Sequence, residues 1–255
     1  TRDSLGESPL WDPTTEHLLW VDINRRLIHR LNPDTGDITD WACKTEPGCL
    51  GRADNDRFVV GLRDGFYFFS PATAAFEAII DPEPGKPLNR LNDGKIDRAG
   101  RFWAGTMRDP NPDEPEGALY KLEDRKVTCV LDSIRIPNAL CWSPDNKIIY
   151  FADTRARVIW AFDFDLANGT LANKRVFVDL KTRPGRPDGA TVDTEGCVWS
   201  AEYGGGRVVR YTPSGLVDTL IHLPVANATC PAFGGTDYKT LFITTASQRL
   251  TDTEL

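Results

Sequence analysis

The feature that most constrains the fold is a repeat of short β-rich runs. Six such runs have central bulky residues at positions 20, 60, 103, 150, 199 and 242, and each follows a polar turn. Repeats of this length, built from alternating apolar and polar residues, are typical of β-propellers with one four-stranded blade per repeat. We therefore predict an all-β fold, a single six-bladed β-propeller over residues 1–255, whose terminal blade is incomplete in this chain.

Composition excludes several classes of function. The 255 residues carry a net charge of −7, with no cluster of Lys and Arg, so we expect no nucleic-acid partner. No apolar stretch approaches the roughly 18 residues of a membrane span, so we expect no membrane partner either. No leader segment is visible, which predicts a cytoplasmic protein. We expect a small-molecule partner and a monomer or weak oligomer.

The number and spacing of the cysteine and histidine residues exclude further kinds of site. The six Cys form no C-x-x-C pair, and the three His have no ligand spacing, which excludes a His-rich or Cys-rich zinc site and favours buried free thiols. The G-x-S-x-G and G-x-G-x-x-G motifs are absent as well. The chemistry left open is that of carboxylates, amides and a hard metal ion.

One position of the repeat carries oxygen-bearing side chains. Glu7, Asn92, Asn138 and Asp188 each precede the central residue of their repeat by 11 to 13 residues, and the other two repeats have Cys nearby at this position. Equal positions on neighbouring blades lie at equal height, so these side chains should converge on one mouth of the central channel. Buried carboxylates need a counter-charge, and oxygen donors suit Ca²⁺, Mg²⁺ or Mn²⁺. The alternative is that such residues only form turns, as we expect of Asp97, Asp145 and Asp193.

Four motifs around these residues resemble a known family. They are GESPLW at 6–11, RLNDGKID at 90–97, PNAL at 137–140 and PDG at 187–189. The chain is similar in these motifs, from position 6 to about 247, to the gluconolactonase/regucalcin/luciferin-regenerating-enzyme family. The resemblance implies a six-bladed propeller with one divalent metal ion and an enzyme that hydrolyses sugar lactones.

The resemblance also implies roles for individual residues. Glu7, Asn138 and Asp188 match the metal ligands, with Ca²⁺ as the expected occupant and Zn²⁺, Mg²⁺, Mn²⁺ or Fe²⁺ as alternatives. Arg90 and Asn92 match substrate-binding positions.

The chain departs from the family pattern at two places. Ala139 replaces a usual Gly, which has an energetic cost if the backbone there has φ > 0. The family's acidic substrate-binding residue has three candidates here, namely Asp113, Glu114 and Glu116.

These roles suggest a gluconolactonase-like mechanism. The metal ion would polarise the lactone carbonyl, and either Asp188 as general base or a metal-bound hydroxide would supply the attacking water. Arg90, as a catalytic residue, would stabilise the oxyanion or hold ring hydroxyls, and Asn92 would bind hydroxyls. Two alternatives are a calcium-binding regulatory or scaffold propeller, and an esterase or phosphotriesterase that uses the same metal site.

Overall fold

The computed structural model describes residues 1–54 and 56–251, and their secondary structure is antiparallel β. The strands follow one another as up-and-down meanders, in which each strand pairs with the next strand along the chain. The first sheet contains β1 (Gly6–Asp12), β2 (His17–Asp22), β3 (Leu27–Leu31) and β4 (Ile38–Ala42). The second contains β5 (Pro47–Arg52), β6 (Phe58–Leu62), β7 (Gly65–Ser70) and β8 (Ala75–Ile80).

The next three sheets repeat this arrangement. The third contains β9 (Asn89–Ile96), β10 (Phe102–Arg108), β11 (Gly117–Glu123) and β12 (Lys126–Ile134). The fourth contains β13 (Pro137–Trp142), β14 (Ile148–Asp153), β15 (Val158–Asp165) and β16 (Thr170–Asp179). The fifth contains β17 (Arg186–Val192), β18 (Val198–Tyr203), β19 (Arg207–Tyr211) and β20 (Val217–His222). Two further strands, β21 (Ala228–Gly234) and β22 (Thr240–Thr245), pair only with each other.

The fold is a β-propeller, but the prediction of six blades is wrong. The described residues form five four-stranded blades and one two-stranded sheet. The repeat in the sequence marks one strand per unit, so it reports the number of sheets and not the number of strands in each. A complete blade occupies a stretch such as 6–42, whereas the described chain from Ala228 onwards forms two strands.

The first strands of the sheets pack side by side around a central channel. Contacts run from β1 to β5, β9, β13, β17 and β21, and β21 returns to β1. Side-chain hydrogen bonds connect neighbouring first strands. Ser8 Oγ accepts a hydrogen bond from Leu50 N at 3.0 Å, and Thr229 Oγ1 donates to Gly6 O at 2.5 Å. The two-stranded sheet therefore closes the ring between the fifth blade and the first.

Apolar side chains fill the spaces between adjacent sheets. Val21, Ile28, Val60 and Phe69 are almost fully buried in one such cluster. The fourth strands are largely exposed, because they lie at the periphery. All six cysteines are free thiols, and five are buried, as predicted. Among residues 1–54 and 56–251, no helix has the length and apolar character needed to cross a membrane.

The aspartates assigned to turns do form turns. Oδ1 of Asp97, Asp145 and Asp193 each accepts a backbone N–H two residues further on, at 2.9 to 3.1 Å. In two repeats the second oxygen accepts the indole N–H of the central tryptophan at 2.8 Å. These carboxylates precede the second strand of their sheet, so they are separate from the oxygen-bearing side chains of the first strands.

Candidate functional site

The candidate site residues lie on β-bulges of first strands. Pairing with the second strand shifts register after Glu7 in β1, after Asn138 in β13 and around Asp188 in β17, and the same break occurs at Asn92 in β9. A bulge leaves residues outside the ladder and changes the direction of their side chains. The bulges therefore interrupt the β-ladder at the positions where the sequence has its oxygen-bearing side chains.

Two bulge residues have left-handed backbone conformations. Ser8 follows Glu7 with φ of 53°, and Ala139 follows Asn138 with φ of 55°. This conformation costs a residue with a Cβ about 1–2 kcal/mol. The energetic cost anticipated for Ala139 is therefore present in the structure.

The five predicted site residues line one cavity. Glu7, Arg90, Asn92, Asn138 and Asp188 surround a volume of about 300 Å³ at one mouth of the ring. All five are less than 10% exposed. The sequence therefore identified side chains that the fold brings together, although they lie as far apart as positions 7 and 188.

Hydrogen bonds set the orientation of Asn138. Its Nδ2 donates to Thr154 Oγ1 at 2.8 Å, and Thr154 Oγ1 donates in turn to Pro187 O, also at 2.8 Å. Asn92 Nδ2 donates to Pro137 O at 3.0 Å and lies 3.4 Å from Asn138 Oδ1. Because the amide nitrogen of Asn138 is occupied, its carbonyl oxygen is the atom available to a ligand.

Three buried carboxylates, those of Glu7, Asp93 and Asp188, lie close enough together to influence one another. Burial raises the pKa of Glu7, and the nearby charges of Asp188 and Asp93 raise it further. Burial, followed by the charge of Asp93, raises the pKa of Asp188. Among the residues described, neither Glu7 nor Asp188 forms a salt bridge. Buried carboxylates of this kind need a cation, and the oxygen donors of Glu7, Asn138 and Asp188 suit a hard divalent ion.

Arg90 is held in the cavity by three hydrogen bonds. Its Nε donates to Asp109 Oδ2 at 2.8 Å, and its Nη1 donates to Asn92 Oδ1 at 2.8 Å and to Leu91 O at 3.1 Å. In the part of the chain that the structure covers, no residue accepts a hydrogen bond from Nη2. This nitrogen is therefore free to donate to a molecule in the cavity.

Asp109 was not identified from the sequence. It lies in the loop after β10, where the repeat gives no signal, and Arg63 Nη2 also donates to its Oδ2 at 3.2 Å. The three acidic candidates from the sequence, Asp113, Glu114 and Glu116, are not among the described residues that line the cavity. Asp113 instead pairs with Arg155 Nε at 2.9 Å, and Glu116 pairs with Arg108.

Other missed residues surround the opening of the cavity. They include Thr154, Arg155, Arg186, Tyr203 and Arg249. Most lie in loops or at strand ends, and only the ring arrangement brings them together. Motif spacing could have indicated Arg186 alone, because it directly precedes the Pro-Asp-Gly motif.

Comparison with known proteins agrees with the resemblance in the motifs. Residues 5–247 match the family described as the SMP-30/Gluconolactonase/LRE-like region. The chain is 36% identical over 254 residues to a 6-deoxy-6-sulfogluconolactonase from Pseudomonas putida, covering 98% of this chain and 86% of the relative. It is 35% identical over 263 residues to an L-arabinolactonase from Azospirillum brasilense, covering 100% and 85%.

A solved structure supports the same assignment. The fold superimposes with a TM-score of 0.96 on a calcium-binding protein, regucalcin, from Agrobacterium tumefaciens, at 32% identity and covering 99% of this chain and 86% of that one. The family match extends over more than nine-tenths of the sequence and includes all the residues that line the cavity except two, Gln248 and Arg249. The chain therefore belongs to the SMP-30/Gluconolactonase/LRE-like family.

Proposed function

We propose that this protein is a metal-dependent hydrolase that opens a sugar lactone to the corresponding aldonic acid. The observation that carries the proposal is the placement of Arg90 and Asn92 in the same buried cavity as Glu7, Asn138 and Asp188. A purely ion-binding site needs only the three oxygen donors, whereas a buried arginine with a free N–H group serves a bound substrate. Relatives named as sulfogluconolactonase and arabinolactonase support a lactone as that substrate.

The donor set fits a divalent cation. Glu7, Asn138 and Asp188 would hold it. Burial raises the pKa values of Glu7 and Asp188, and a bound cation would offset the cost of burying their charges. A bound divalent cation would polarise the lactone carbonyl and stabilise developing negative charge. Ca²⁺ is our first candidate, since the structurally similar regucalcin is named as calcium-binding.

The remaining roles fall to side chains of this chain. Arg90 Nη2 would donate to a substrate oxygen, because Asp109 and Asn92 fix the other two nitrogens of its guanidinium group. Asp188 would take the proton of the attacking water, because a carboxylate that binds a cation through one oxygen keeps its second oxygen beside that water. Asn92 Nδ2 and Oδ1 already have partners, so we propose that Asn92 positions Arg90 and Asn138 as well as contacting substrate.

The rim of the cavity favours a lactone that carries an anionic group. Arg155, Arg186 and Arg249 all line this cavity, and Arg186 is exposed. Within residues 1–54 and 56–251, Arg186 forms no salt bridge. A guanidinium group in this position would pair with a sulfonate, phosphate or carboxylate on the sugar. The relative named 6-deoxy-6-sulfogluconolactonase agrees with this preference.

A substrate panel tests the proposal. Neutral and sulfonated aldonolactones and aryl esters would be supplied to the protein with and without a chelator, and ring opening would be corrected for the spontaneous rate. We expect lactones to react only with metal present and aryl esters to react poorly, since an aryl ester lacks the ring hydroxyls that Arg90 and Asn92 would bind. Separate addition of Ca²⁺, Mg²⁺, Mn²⁺, Fe²⁺ and Zn²⁺ should restore activity to different extents that do not follow affinity. Full activity of the stripped protein would contradict the metal mechanism, and metal binding without any turnover would favour a calcium-binding protein.

A further inference from the structure

A second polar cluster lies in the first blade and shares no residue with the cavity. His29 in β3 is 3% exposed, and its ring stacks on Trp20 with centroids 4.9 Å apart. Its Nε2 is buried without a hydrogen-bond partner and points towards Asp3, whose Oδ1 is also buried and unpartnered. One oxygen of Asp3, one oxygen of Asp22 and one nitrogen of His29 lie within 4.8 Å of one another.

The distance between the two unpartnered atoms indicates whether a metal ion or a hydrogen bond would join them. His29 Nε2 lies 3.6 Å from Asp3 Oδ1. An N–H···O hydrogen bond spans about 2.7–3.2 Å, so this distance is too long for one. Two ligands of one tetrahedral zinc ion, with bonds of about 2.0–2.2 Å, lie about 3.4 Å apart. The observed spacing is therefore close to that of two atoms bound to the same ion.

The hydrogen-bond partners of His29 and Asp3 are those expected of residues that bind a metal ion. His29 Nδ1 lies 2.7 Å from Asp40 Oδ1, and an imidazole that binds a metal usually donates its second N–H to a carboxylate. Trp20 Nε1 donates to Asp3 Oδ2 at 2.7 Å, which leaves Oδ1 as the free oxygen. Both contacts orient the unpartnered atoms towards each other.

Asp22 completes the cluster. Its side chain is fully buried, and its oxygens accept backbone N–H groups of Ser4, Leu5 and Arg25 at 2.8 to 3.2 Å. Arg25 Nε also lies 3.6 Å from Asp22 Oδ2. A cavity of about 250 Å³, lined by Asp3 and Trp20, lies beside the cluster. One imidazole nitrogen with two carboxylates suits zinc better than calcium, which prefers oxygen alone.

We infer that Asp3, Asp22 and His29 form a structural site for a divalent transition metal, Zn²⁺, separate from the oxygen-only site in the channel. By binding Asp3 together with Asp22 and His29, the ion would connect the segment before β1 to the first blade. Asp3 O in this segment accepts hydrogen bonds from Ser247 N at 3.1 Å and from Ser247 Oγ at 2.8 Å. The site would therefore stabilise the place where the two ends of the described chain meet.

The test counts zinc ions in variants that lack the channel site. Metal-stripped Asp188→Asn protein would be titrated with Zn²⁺ by calorimetry. The test variant is Asp188→Asn/His29→Gln. The control is Asp188→Asn/His222→Gln, because His222 is exposed on β20. We expect one zinc ion in the Asp188→Asn protein and in the control, and none in the His29 variant. Zinc should raise Tm by about 5 °C or more at a hundredfold excess over Kd, except in the His29 variant.

Asp40→Asn provides a second measurement if the His29 variant folds poorly. This substitution retains all three proposed ligands, and we expect it to weaken zinc binding about 10- to 100-fold. NMR of the His29 ring in the Asp188→Asn protein should show a zinc-dependent shift of Nε2. Absence of zinc binding in that protein, or equal binding after the His29 substitution, would overturn the inference. Neither result bears on lactone hydrolysis.

Discussion

Asp109 Oδ2 accepts a hydrogen bond from Arg90 Nε at 2.8 Å, and this contact fixes the guanidinium group that faces the cavity. Asp109 is itself held by Arg63, whose Nη1 donates to Asp109 O and whose Nη2 donates to Asp109 Oδ2, both at 3.2 Å. Arg63 is in turn paired with Glu46 at 2.7 Å. A chain of alternating charges thus connects the surface to the arginine that faces the cavity.

The first prediction concerns Asp109→Asn. The amide is similar in size but removes the charge that orients Arg90, so we expect kcat/KM for lactones to fall about tenfold, or ~1.4 kcal/mol. Metal affinity should stay unchanged, because Asp109 is not among the proposed ligands. Asp218→Asn is the matched control: it also pairs with an arginine and is 37% exposed, compared with 38% for Asp109. Equal effects of the two substitutions would show that Asp109 does not position Arg90.

The second prediction concerns Asp188→Asn. We expect this variant to lose metal binding and lactone hydrolysis while remaining folded. At a hundredfold excess of Ca²⁺ over Kd, the parent protein should gain about 2.7 kcal/mol, a rise in Tm of roughly 5 °C or more, and the variant should gain almost nothing. Without metal, the variant should be the more stable of the two, since one of three clustered carboxylates is removed. Thermal unfolding with and without Ca²⁺ measures both effects, and an unchanged Ca²⁺ shift would remove Asp188 from the site.

The third prediction concerns Arg90. Arg90→Ala should lower kcat/KM by about 2–4 kcal/mol of transition-state stabilisation, because the free Nη2 donor is lost. Arg90→Lys retains the positive charge but not the fixed fork of donors, so it should recover only part of the activity. Steady-state kinetics on one lactone, together with Tm, separates catalysis from folding. Early unfolding of both variants with normal turnover at low temperature would identify Arg90 as structural.

The fourth prediction concerns acid stability. Burial alone would raise the pKa of Glu46, but hydrogen bonds from Arg63 and Arg26 lower it to about 2. Between about pH 4.3 and pH 2, the unfolded chain therefore binds more protons at this position than the folded chain. The stability that the Glu46 carboxylate contributes is present above this range and is lost as pH falls through it. In Glu46→Gln this part of the acid dependence should disappear. Urea unfolding at pH 6 and pH 3 measures the difference, and the exposed Glu123→Gln is the control.

The fifth prediction concerns the charged rim. Arg186→Ala should raise KM for a sulfonated or phosphorylated lactone about 5- to 10-fold, or roughly 1 kcal/mol, and leave KM for a neutral lactone unchanged. Arg98→Ala is the control, because it removes the same charge near the opposite ends of the first strands, where Arg98 lines a different cavity. This substitution should leave KM unchanged for both the charged and the neutral lactone. An equal rise in KM for charged and neutral lactones would argue against an anionic substrate.

The sequence by itself determined the β-propeller class and five of the residues that line the cavity. Alternation and turn residues recur because every blade repeats the same strands, and this period is visible without coordinates. Glu7, Asn138 and Asp188 could be found because equal position in the repeat means equal height on the ring. The repeat could not show that the last sheet has two strands, since it marks only one strand per unit.

Only the tertiary structure decided which loop residues reach the site and how the site is charged. Asp109 lies outside the repeating strands, so no spacing distinguishes it from Asp113, Glu114 or Glu116. The contact between His29 and Asp3 joins residues 26 positions apart, and its 3.6 Å separation exists only after the first blade has folded. Loops carry no period, and distances between side chains depend on packing. For both reasons, these features lie beyond what a sequence pattern can predict.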